Sequence, residues 1–207
     1  MTHGETVFLA SANENKVKEI SLLLGTLGIG LKSLVDFNLE SPEETGETFR
    51  ENALLKARFG FEKTKLTTLA DDSGFCLEAL DNFPGIFSGR FAQERGGFEN
   101  AARLLHRIVG DGSKKAHFTT TVAIIYRNAV GKLEERVFDG TVEGQLCYPP
   151  RGSNGFGYCS CFMPSGSSVS YGEMEDRLRI RTNHRAQAFG KLLEFLGDRS
   201  NFFHHPS

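Results

Sequence analysis

The pattern of apolar and polar positions predicts strands and helices in alternation over the first half of the chain. The apolar run at residues 6–10 is typical of a buried strand, and the apolar residues after it recur at helical spacing. A second short strand is predicted at residues 31–35. Helical spacing then returns, and Thr45 or Thr48 can begin this second helix.

Two adjacent carboxylates, Asp71 and Asp72, follow the next apolar run, at residues 66–70. A further apolar run at residues 75–80 suggests that two strands pair across a tight turn at Gly74. Like charges placed together raise each other's pKa, so this carboxylate pair is costly to bury. At the end of a strand, beside a serine and a glycine, the pair therefore indicates a site for a hard cation.

The second half of the chain is predicted to contain a helix, a cluster of antiparallel strands and then two more helices. Residues 116–127 alternate and are rich in β-branched side chains, so they should pair with a strand at residues 133–138. The remaining elements are a helix at 98–109, a turn at Asp139 and Gly140, strands at 141–146 and 162–164, a helix at 173–181 and a last helix capped by Asn183. This order predicts an α/β fold with a mixed sheet, in two lobes with a cleft between them.

The polar turn between the first strand and the first helix is a candidate phosphate site. Asn13 can cap the helix, and Lys16 lies about one turn into it, where the helix N-terminus favours anions. The alternative is that Asn13 only caps the helix and Lys16 is an ordinary solvated residue. The turn lacks the glycines of a P-loop or a dinucleotide-binding turn.

Two charged residues near the second helix are further candidates. Glu44 precedes the helix and can act as another carboxylate ligand for a cation, although a carboxylate near a helix N-terminus is also favourable by itself. Lys56 lies one or two turns into the helix, where the alternative is a residue that faces solvent.

A glycine-rich loop at residues 148–158 contains Gly155, Phe156, Gly157 and Tyr158, a combination that lets the backbone approach a flat ligand between aromatic rings. An ordinary turn is the alternative.

Two basic residues, His184 and Arg185, occupy the first turn of the last helix. Cations are unfavourable there unless an anion binds, and the alternative is a solvated first turn.

Composition excludes several classes of function. The 207 residues carry a net charge of −2, which gives no bulk attraction to nucleic acid or to an anionic membrane. No secretory signal and no apolar run of membrane-spanning length is present. The four cysteines include only one Cys-x-Cys pair, which is a weak zinc signal, so we expect reduced thiols in a cytoplasmic protein.

The candidates form two chemical groups. Donors suited to phosphates are Lys16, Lys56, His184 and Arg185. Oxygen ligands suited to Mg²⁺ are Glu44, Asp71 and Asp72. A metal, phosphates and a site for a base imply a nucleotide polyphosphate, which one aspartate could help to cleave by positioning or deprotonating a water molecule.

The motifs resemble those of the inosine triphosphate pyrophosphatase family over nearly the whole chain, from Ser11 to about Leu196. They are Ser-Ala-Asn-Glu-Asn-Lys at 11–16, Glu-Glu-Thr-Gly at 43–46 followed by Glu-Asn-Ala at 51–53, Ala-Asp-Asp-Ser-Gly at 70–74, Phe-Pro-Gly-Ile-Phe-Ser-Gly-Arg-Phe at 83–91, Gly-Phe-Gly-Tyr at 155–158 and Asn-His-Arg at 183–185. The resemblance implies hydrolysis of ITP, dITP and XTP to the monophosphate and pyrophosphate. It also implies a long central mixed sheet with two α/β lobes and a homodimer.

The resemblance assigns roles to individual residues. Asp72 is the predicted catalytic proton acceptor and, with Glu44, a ligand of Mg²⁺, while Asp71 supports them. Phe156 is expected to stack on the purine, and His184 and Arg185 to meet its six-position oxygen. The full predicted substrate-binding set is Ser11, Asn13, Lys16, Lys56, Ser73, Phe156, Gly157, Tyr158, Cys159, Arg179, His184 and Arg185.

Two positions depart from the family pattern, and both concern the base. The family has Asp-Pro after Gly-Phe-Gly-Tyr, where this chain has Cys159 and Ser160. A family lysine aligns with Arg179, which keeps the charge but is larger and forked. The changes affect the expected base preference and leave the metal and phosphate groups intact.

The predicted organisation is one pyrophosphatase domain of two lobes at residues 1–198 and a loose tail at 199–207. A nucleotide-binding protein with altered base specificity or lost turnover is the alternative function. A nucleic-acid-binding module is disfavoured by the net charge and by the lack of a basic aromatic stripe.

Overall fold

The computed structural model describes residues 6–25 and 29–197. Over the first half of the chain the strands and helices are β1 (Thr6–Leu9), α1 (Glu14–Leu24), β2 (Gly30–Ser33), α2 (Phe49–Thr64), β3 (Thr68–Leu77), β4 (Phe83–Pro84) and α3 (Ser88–Gln93). Over the second half they are α4 (Phe98–Val109), β5 (Lys115–Arg127), β6 (Leu133–Leu146), β7 (Phe162–Pro164), α5 (Asp176–Thr182) and α6 (His184–Gly197). The predicted tail at 199–207 lies outside the described residues.

One mixed sheet connects the strands in the order β2-β1-β3-β5-β6-β7, and β4 pairs with β3 off this path. Strand β1 is parallel to both β2 and β3, whereas β3 with β4 and β6 with β7 are antiparallel. The alternating elements at the start of the chain thus form the parallel part of the sheet, as their order predicts.

The chain divides into two compact units. Among the described residues, unit 1 comprises 6–25, 29–72, 121–139 and 187–197, and unit 2 comprises 73–120 and 140–186. Unit 1 buries two apolar clusters, one with α6 residues such as Phe189 and the other with α2 residues such as Ala53. Unit 2 has one cluster, in which Phe75 packs with aromatic rings that include Tyr158.

The predicted break in the strand at Gly74 is wrong. Strand β3 runs without interruption from Thr68 to Leu77, so Asp71 and Asp72 lie within it. An interior position is possible because both carboxylates contact lysines, as described below. The strand supplies buried apolar side chains on both sides of the pair, which explains why two apolar runs flank it.

The predicted turn at Asp139 and Gly140 is also absent, and β6 continues through both residues. The Asp139 side chain accepts a hydrogen bond from Thr121 Oγ1 (2.5 Å), and its backbone carbonyl accepts one from Lys191 Nζ (2.6 Å). Turn-forming residues can remain in a strand when neighbouring elements satisfy their polar groups in this way.

Gly74 is required in β3 because the backbone of the loop after β4 lies against it. A Cβ atom at this position would lie 2.2 Å from the carbonyl oxygen of Gly85. We expect Gly74→Ala to lower the free energy of unfolding by about 1–3 kcal/mol, because a backbone neighbour cannot move aside as a flexible side chain can. Urea denaturation measures the change.

Gly89 in α3 provides the matched control, since nothing lies within 4 Å of a Cβ atom there. Gly89→Ala should be neutral or slightly stabilising, because alanine favours helix. Equal effects of the two substitutions would contradict the close approach at Gly74.

None of the helices in the described part of the chain is long and apolar enough to cross a membrane.

Candidate active site

The turn that leads into α1 is ordered by two side chains. Ser11 Oγ accepts a hydrogen bond from the Asn13 amide (3.2 Å). Asn13 Oδ1 accepts from the amides of Asn15 (3.0 Å) and Lys16 (3.2 Å), which confirms the predicted cap. From this first turn, Lys16 Nζ reaches the buried carboxylate of Asp71 at 3.0 Å. The predicted phosphate-binding lysine is therefore tied to the aspartate pair.

Helix α2 places a second lysine against the other aspartate. Thr48 caps this helix by accepting from the Glu51 amide, and Lys56 is buried about two turns later. Lys56 Nζ donates to Asp72 Oδ1 (2.8 Å) and to Glu44 Oε1 (2.7 Å). The solvent-facing alternative for Lys56 is thus wrong, because the side chain joins two of the predicted metal ligands.

Asn52, one turn before Lys56 on the same helix, also reaches the site. Its Nδ2 donates to Asp72 Oδ2 at 3.4 Å, and its Oδ1 accepts from the amide of Gly46 at 2.8 Å. The sequence contains the signal for this contact, since residues four apart share a helix face, but Asn52 received no predicted role. It connects the loop that precedes α2 to the aspartate.

The carboxylates respond differently to this environment. Burial raises the pKa of Asp72 above its ordinary value, although the charges of Lys56 and Lys16 oppose the rise. Burial also acts to raise the pKa of Glu44, but the charge and the hydrogen bond of Lys56 outweigh it, so this pKa is lowered. Asp72 is therefore the carboxylate that is better suited to accept a proton near neutral pH.

The donor set around Lys56 fits a hard divalent cation. Oxygen atoms of Glu44 and Asp72 converge on one positively charged group, the Lys56 ammonium, and Asp71 is adjacent to Asp72 in β3. Carboxylate oxygens are the protein ligands that Mg²⁺ prefers. Glu44 and Asp72 thus offer the type of ligand that Mg²⁺ would require, and Asp71 is the third carboxylate of the predicted set.

In unit 2, Arg185 joins two of the predicted substrate contacts. Its Nη2 donates to Ser73 Oγ at 2.9 Å, and its Cζ lies 5.1 Å from the centre of the Phe156 ring. Asn183 caps α6 as predicted by accepting from the Ala186 amide, which fixes the first turn that contains Arg185. The neighbouring His184 is buried and stacks on Phe118, with ring centres 4.9 Å apart.

The remaining predicted contacts lie in or near the core of unit 2. Tyr158 is buried and stacks on Phe75, so its ring packs in the core, while Gly157 beside it has a positive φ of 68°. Cys159 and Arg179 are both buried, and both side chains lie beside Gly155. A Cβ atom at Gly155 would lie 2.8 Å from Cys159 Sγ and 3.0 Å from Arg179 Cζ.

Arg179 is held from its own helix by Asp176, at 2.8 Å. The predicted residues are thus divided between the two units. In unit 1 these are Ser11, Asn13, Lys16, Glu44, Lys56, Asp71 and Asp72, and in unit 2 they are Ser73, Phe156, Gly157, Tyr158, Cys159, Arg179, His184 and Arg185.

Comparison with known proteins gives consistent matches. The Ham1 family model matches residues 7–195. A dITP/XTP pyrophosphatase from Zymomonas mobilis is 40% identical over 189 residues, which is 89% of this chain and 88% of the relative. A dITP/XTP pyrophosphatase from Gluconobacter oxydans is 36% identical over 201 residues, which is 97% of this chain and 95% of the relative.

Solved structures agree with the sequence relatives. A HAM1 protein from Coxiella burnetii matches with a TM-score of 0.83 and 32% identity, covering 94% of this chain and 99% of that one. The Staphylococcus aureus Ham1 protein matches with a TM-score of 0.82 and 28% identity, covering 95% and 100%. These matches confirm the predicted α/β class with a mixed sheet.

Proposed function

The chain belongs to the Ham1 family, and on that basis we propose that it hydrolyses ITP, dITP and XTP to the nucleoside monophosphate and pyrophosphate. Curated relatives that are 34–40% identical to this chain over the aligned residues are named dITP/XTP pyrophosphatases. The activity would remove non-standard purine nucleotides from the nucleotide pool, and the enzyme class is that of nucleoside triphosphate pyrophosphatases.

The observation that best supports this proposal is that two lysines of unit 1 each contact one carboxylate of the aspartate pair. Lys16 and Lys56 are ammonium groups of the kind that bind phosphate oxygens, and each contacts one aspartate of the pair. A triphosphate carries several negative charges, so it can compete with these carboxylates for the ammonium groups. The carboxylates are then available to the Mg²⁺ that accompanies the nucleotide.

Each residue has a role in the proposed reaction. Bound Mg²⁺ supplies positive charge that neutralises the triphosphate. Asp72 accepts a proton from water as the water oxygen bonds to the α-phosphorus. The bond between the α-phosphorus and the oxygen that bridges it to the β-phosphorus breaks, and pyrophosphate leaves. Asn52 holds the Asp72 carboxylate in position for this transfer, while Lys56 contacts the triphosphate.

The residues of unit 2 account for selection of the base. We assign Phe156 to stacking on the purine, with Arg185 and His184 as donors to the six-position oxygen. Hypoxanthine and xanthine present a carbonyl acceptor at this position, whereas adenine presents an amino group. A pocket lined by donors disfavours adenine because its polar groups would remain unpaired.

We further propose that the protein acts as a homodimer in the cytoplasm. The dimer is implied by the family resemblance. The cytoplasm is supported by the four cysteines, which form no disulfide in the described part of the chain.

A product assay tests the proposed function. The protein is incubated with Mg²⁺ and each of ITP, dITP, XTP, GTP and ATP, and the products are identified. Monophosphate and pyrophosphate from ITP or XTP support the proposal, whereas release of orthophosphate and a diphosphate contradicts it. Binding of nucleotide without turnover would favour the alternative of a nucleotide-binding protein, which the replacement at Cys159 motivates.

Arg179 should contribute to base selection, and its substitution gives a further prediction. Arg179→Met removes a buried donor while keeping an apolar stem of similar length, and its partner Asp176 is largely exposed and stays hydrated. We expect kcat/KM for ITP to fall by about 10–100-fold, with a smaller change for ATP, because a hydrogen bond from a charged donor is lost.

Arg177 lies two residues away in α5, is exposed and offers a matched control. Arg177→Met removes the same charge, and the ratio of kcat/KM for ITP to that for ATP should stay unchanged. If the ratio of kcat/KM for ITP to that for ATP is also unchanged in Arg179→Met, Arg179 does not contribute to base selection.

A further inference from the structure

A second group of metal-ligating side chains lies in unit 2 and includes none of the residues assigned above. Glu78, His117 and Glu143 each offer one ligand atom, and these three atoms lie within 4.8 Å of one another. They form the one such group of three among the described residues. Glu44, Asp71 and Asp72 lie outside this group and are contacted by Lys56 and Lys16.

The pairing of the strands brings the three residues together. The Leu146 amide donates to the Lys114 carbonyl (2.8 Å), and Thr119 Oγ1 lies 3.0 Å from Thr141 Oγ1, which fixes the register of β5 and β6. In this register His117 lies opposite Glu143, at a position of the same type as the Thr119–Thr141 pair. Side chains opposite each other in such pairs are close neighbours.

Glu78 joins this pair from the end of a third strand. It directly follows β3, which is the neighbour of β5 in the sheet, and begins a short 3-10 turn. Two of the three ligand atoms thus come from the paired strands β5 and β6, and the third comes from the turn after β3. Strands hold the residues of a site more rigidly than loops do.

The electrostatics of this group differ from those of the predicted Mg²⁺ site. Two carboxylates approach each other, yet no lysine or arginine of the described chain forms an ion pair with Glu78 or Glu143. The available ligands are one imidazole nitrogen and two carboxylate oxygens.

We propose that Glu78, His117 and Glu143 bind a first-row divalent transition metal of the Zn²⁺ class. The imidazole distinguishes this set from carboxylates alone: nitrogen ligands suit Zn²⁺, whereas Mg²⁺ is bound through oxygen. The two carboxylates are exposed and the imidazole is half-buried, so three protein ligands leave room for water in the remaining position. The bound metal would connect the turn after β3 to β5 and β6 and so stabilise this part of the sheet.

Zinc binding to the full chain tests the proposal. Zn²⁺ is titrated calorimetrically into the protein in the presence of excess Mg²⁺, and the number of bound ions is compared among variants. His117→Gln and Glu143→Gln should each bind one Zn²⁺ fewer or bind that ion at least about tenfold more weakly. Glu78 lies outside the strands, so Glu78→Gln leaves the pairing of the strands intact. This variant should weaken zinc binding in the same way, and it tests the site even if a strand variant folds poorly.

Two matched controls separate this site from other zinc ligands in the chain. His106→Gln replaces another half-buried histidine of unit 2, and Glu99→Gln replaces an exposed glutamate of α4. Both should bind zinc as the unchanged protein does. Zinc should also raise the melting temperature of the unchanged protein and of the controls, but less in the three site variants.

A crystal soaked in Zn²⁺ locates the ion by its anomalous scattering. A peak bounded by Glu78, His117 and Glu143 supports the proposal. The proposal is overturned by a protein that binds no zinc at concentrations of about 100 µM, which is weak for a three-ligand protein site. It is also overturned when zinc binding is the same in the site variants as in the controls, because the metal is then held elsewhere.

Discussion

Asp72→Asn is expected to lower kcat for ITP hydrolysis by about 10²–10⁴-fold, the range that a positioned general base contributes. Asn retains the shape of the side chain but cannot accept a proton from water. The amide oxygen can still accept from Lys56, and Glu44 still pairs with the same ammonium. The loss should therefore appear in kcat, with a smaller change in the dissociation constant of the nucleotide.

Asp111→Asn is the matched control for this variant. Asp111 is exposed in the turn that follows α4, and the same change of carboxylate to amide there should leave kcat within about twofold, as expected for a surface substitution. Circular dichroism and thermal melting verify that both variants are folded. Activity retained in Asp72→Asn would show that another group accepts the proton.

The raised pKa of Asp72 has a consequence for the pH dependence of the reaction. The residue must be ionised to accept a proton, so kcat/KM should fall as the pH decreases through its pKa. Because burial raises this pKa, the fall should occur at a higher pH than the ordinary value of 3.8 would give. A pH profile that stays flat down to about pH 4, near the ordinary carboxyl pKa, would contradict this role.

Local signals predicted individual elements of the fold well. The helix expected at 98–109 is α4 (Phe98–Val109), since two glycines precede a strong helical repeat there. The predicted strand breaks at Gly74 and Asp139 were wrong for a common reason. Turn propensity is local, whereas the Gly85 carbonyl, Thr121 and Lys191 are contacts made by distant parts of the chain.

The site shows the same division between local and distant information. The caps at Asn13, Thr48 and Asn183 follow from residue types at helix starts, and all three are present. The partners of the lysines could not be predicted by such rules. Lys56 and Asp72 are 16 residues apart on different elements, so only the folded chain brings the ammonium between Asp72 and Glu44.

That position makes Lys56→Met the variant with the largest expected effect on stability. The methionine side chain fits a site shaped for lysine, but the ammonium that neutralises buried Asp72 is lost. Removing one partner of a buried pair costs about 3–5 kcal/mol. We expect about 3 kcal/mol, at the low end of this range, because the Glu44 side chain is 34% exposed and water can hydrate its charge after Lys56 is removed.

Lys63→Met in the same helix is the control, because Lys63 is exposed and forms no ion pair among the described residues. Its effect on the free energy of unfolding should stay within about 0.5 kcal/mol. Urea denaturation at neutral pH compares the two variants. Similar losses in both would mean that the buried ammonium does not compensate the Asp72 charge.

The pH dependence of this loss identifies its cause. The pKa of Lys56 is raised, so the ammonium stabilises the fold at all pH values below its unfolded pKa, including neutral pH. Its charge also lowers the pKa of Asp72, so Lys56→Met should raise that pKa further and move the acid limb of kcat/KM to higher pH.

As the pH falls through the raised pKa, Asp72 becomes protonated and no longer needs a counter-charge. The stability difference between Lys56→Met and the unchanged protein should therefore narrow in acid, whereas a loss caused by packing alone would be the same at every pH.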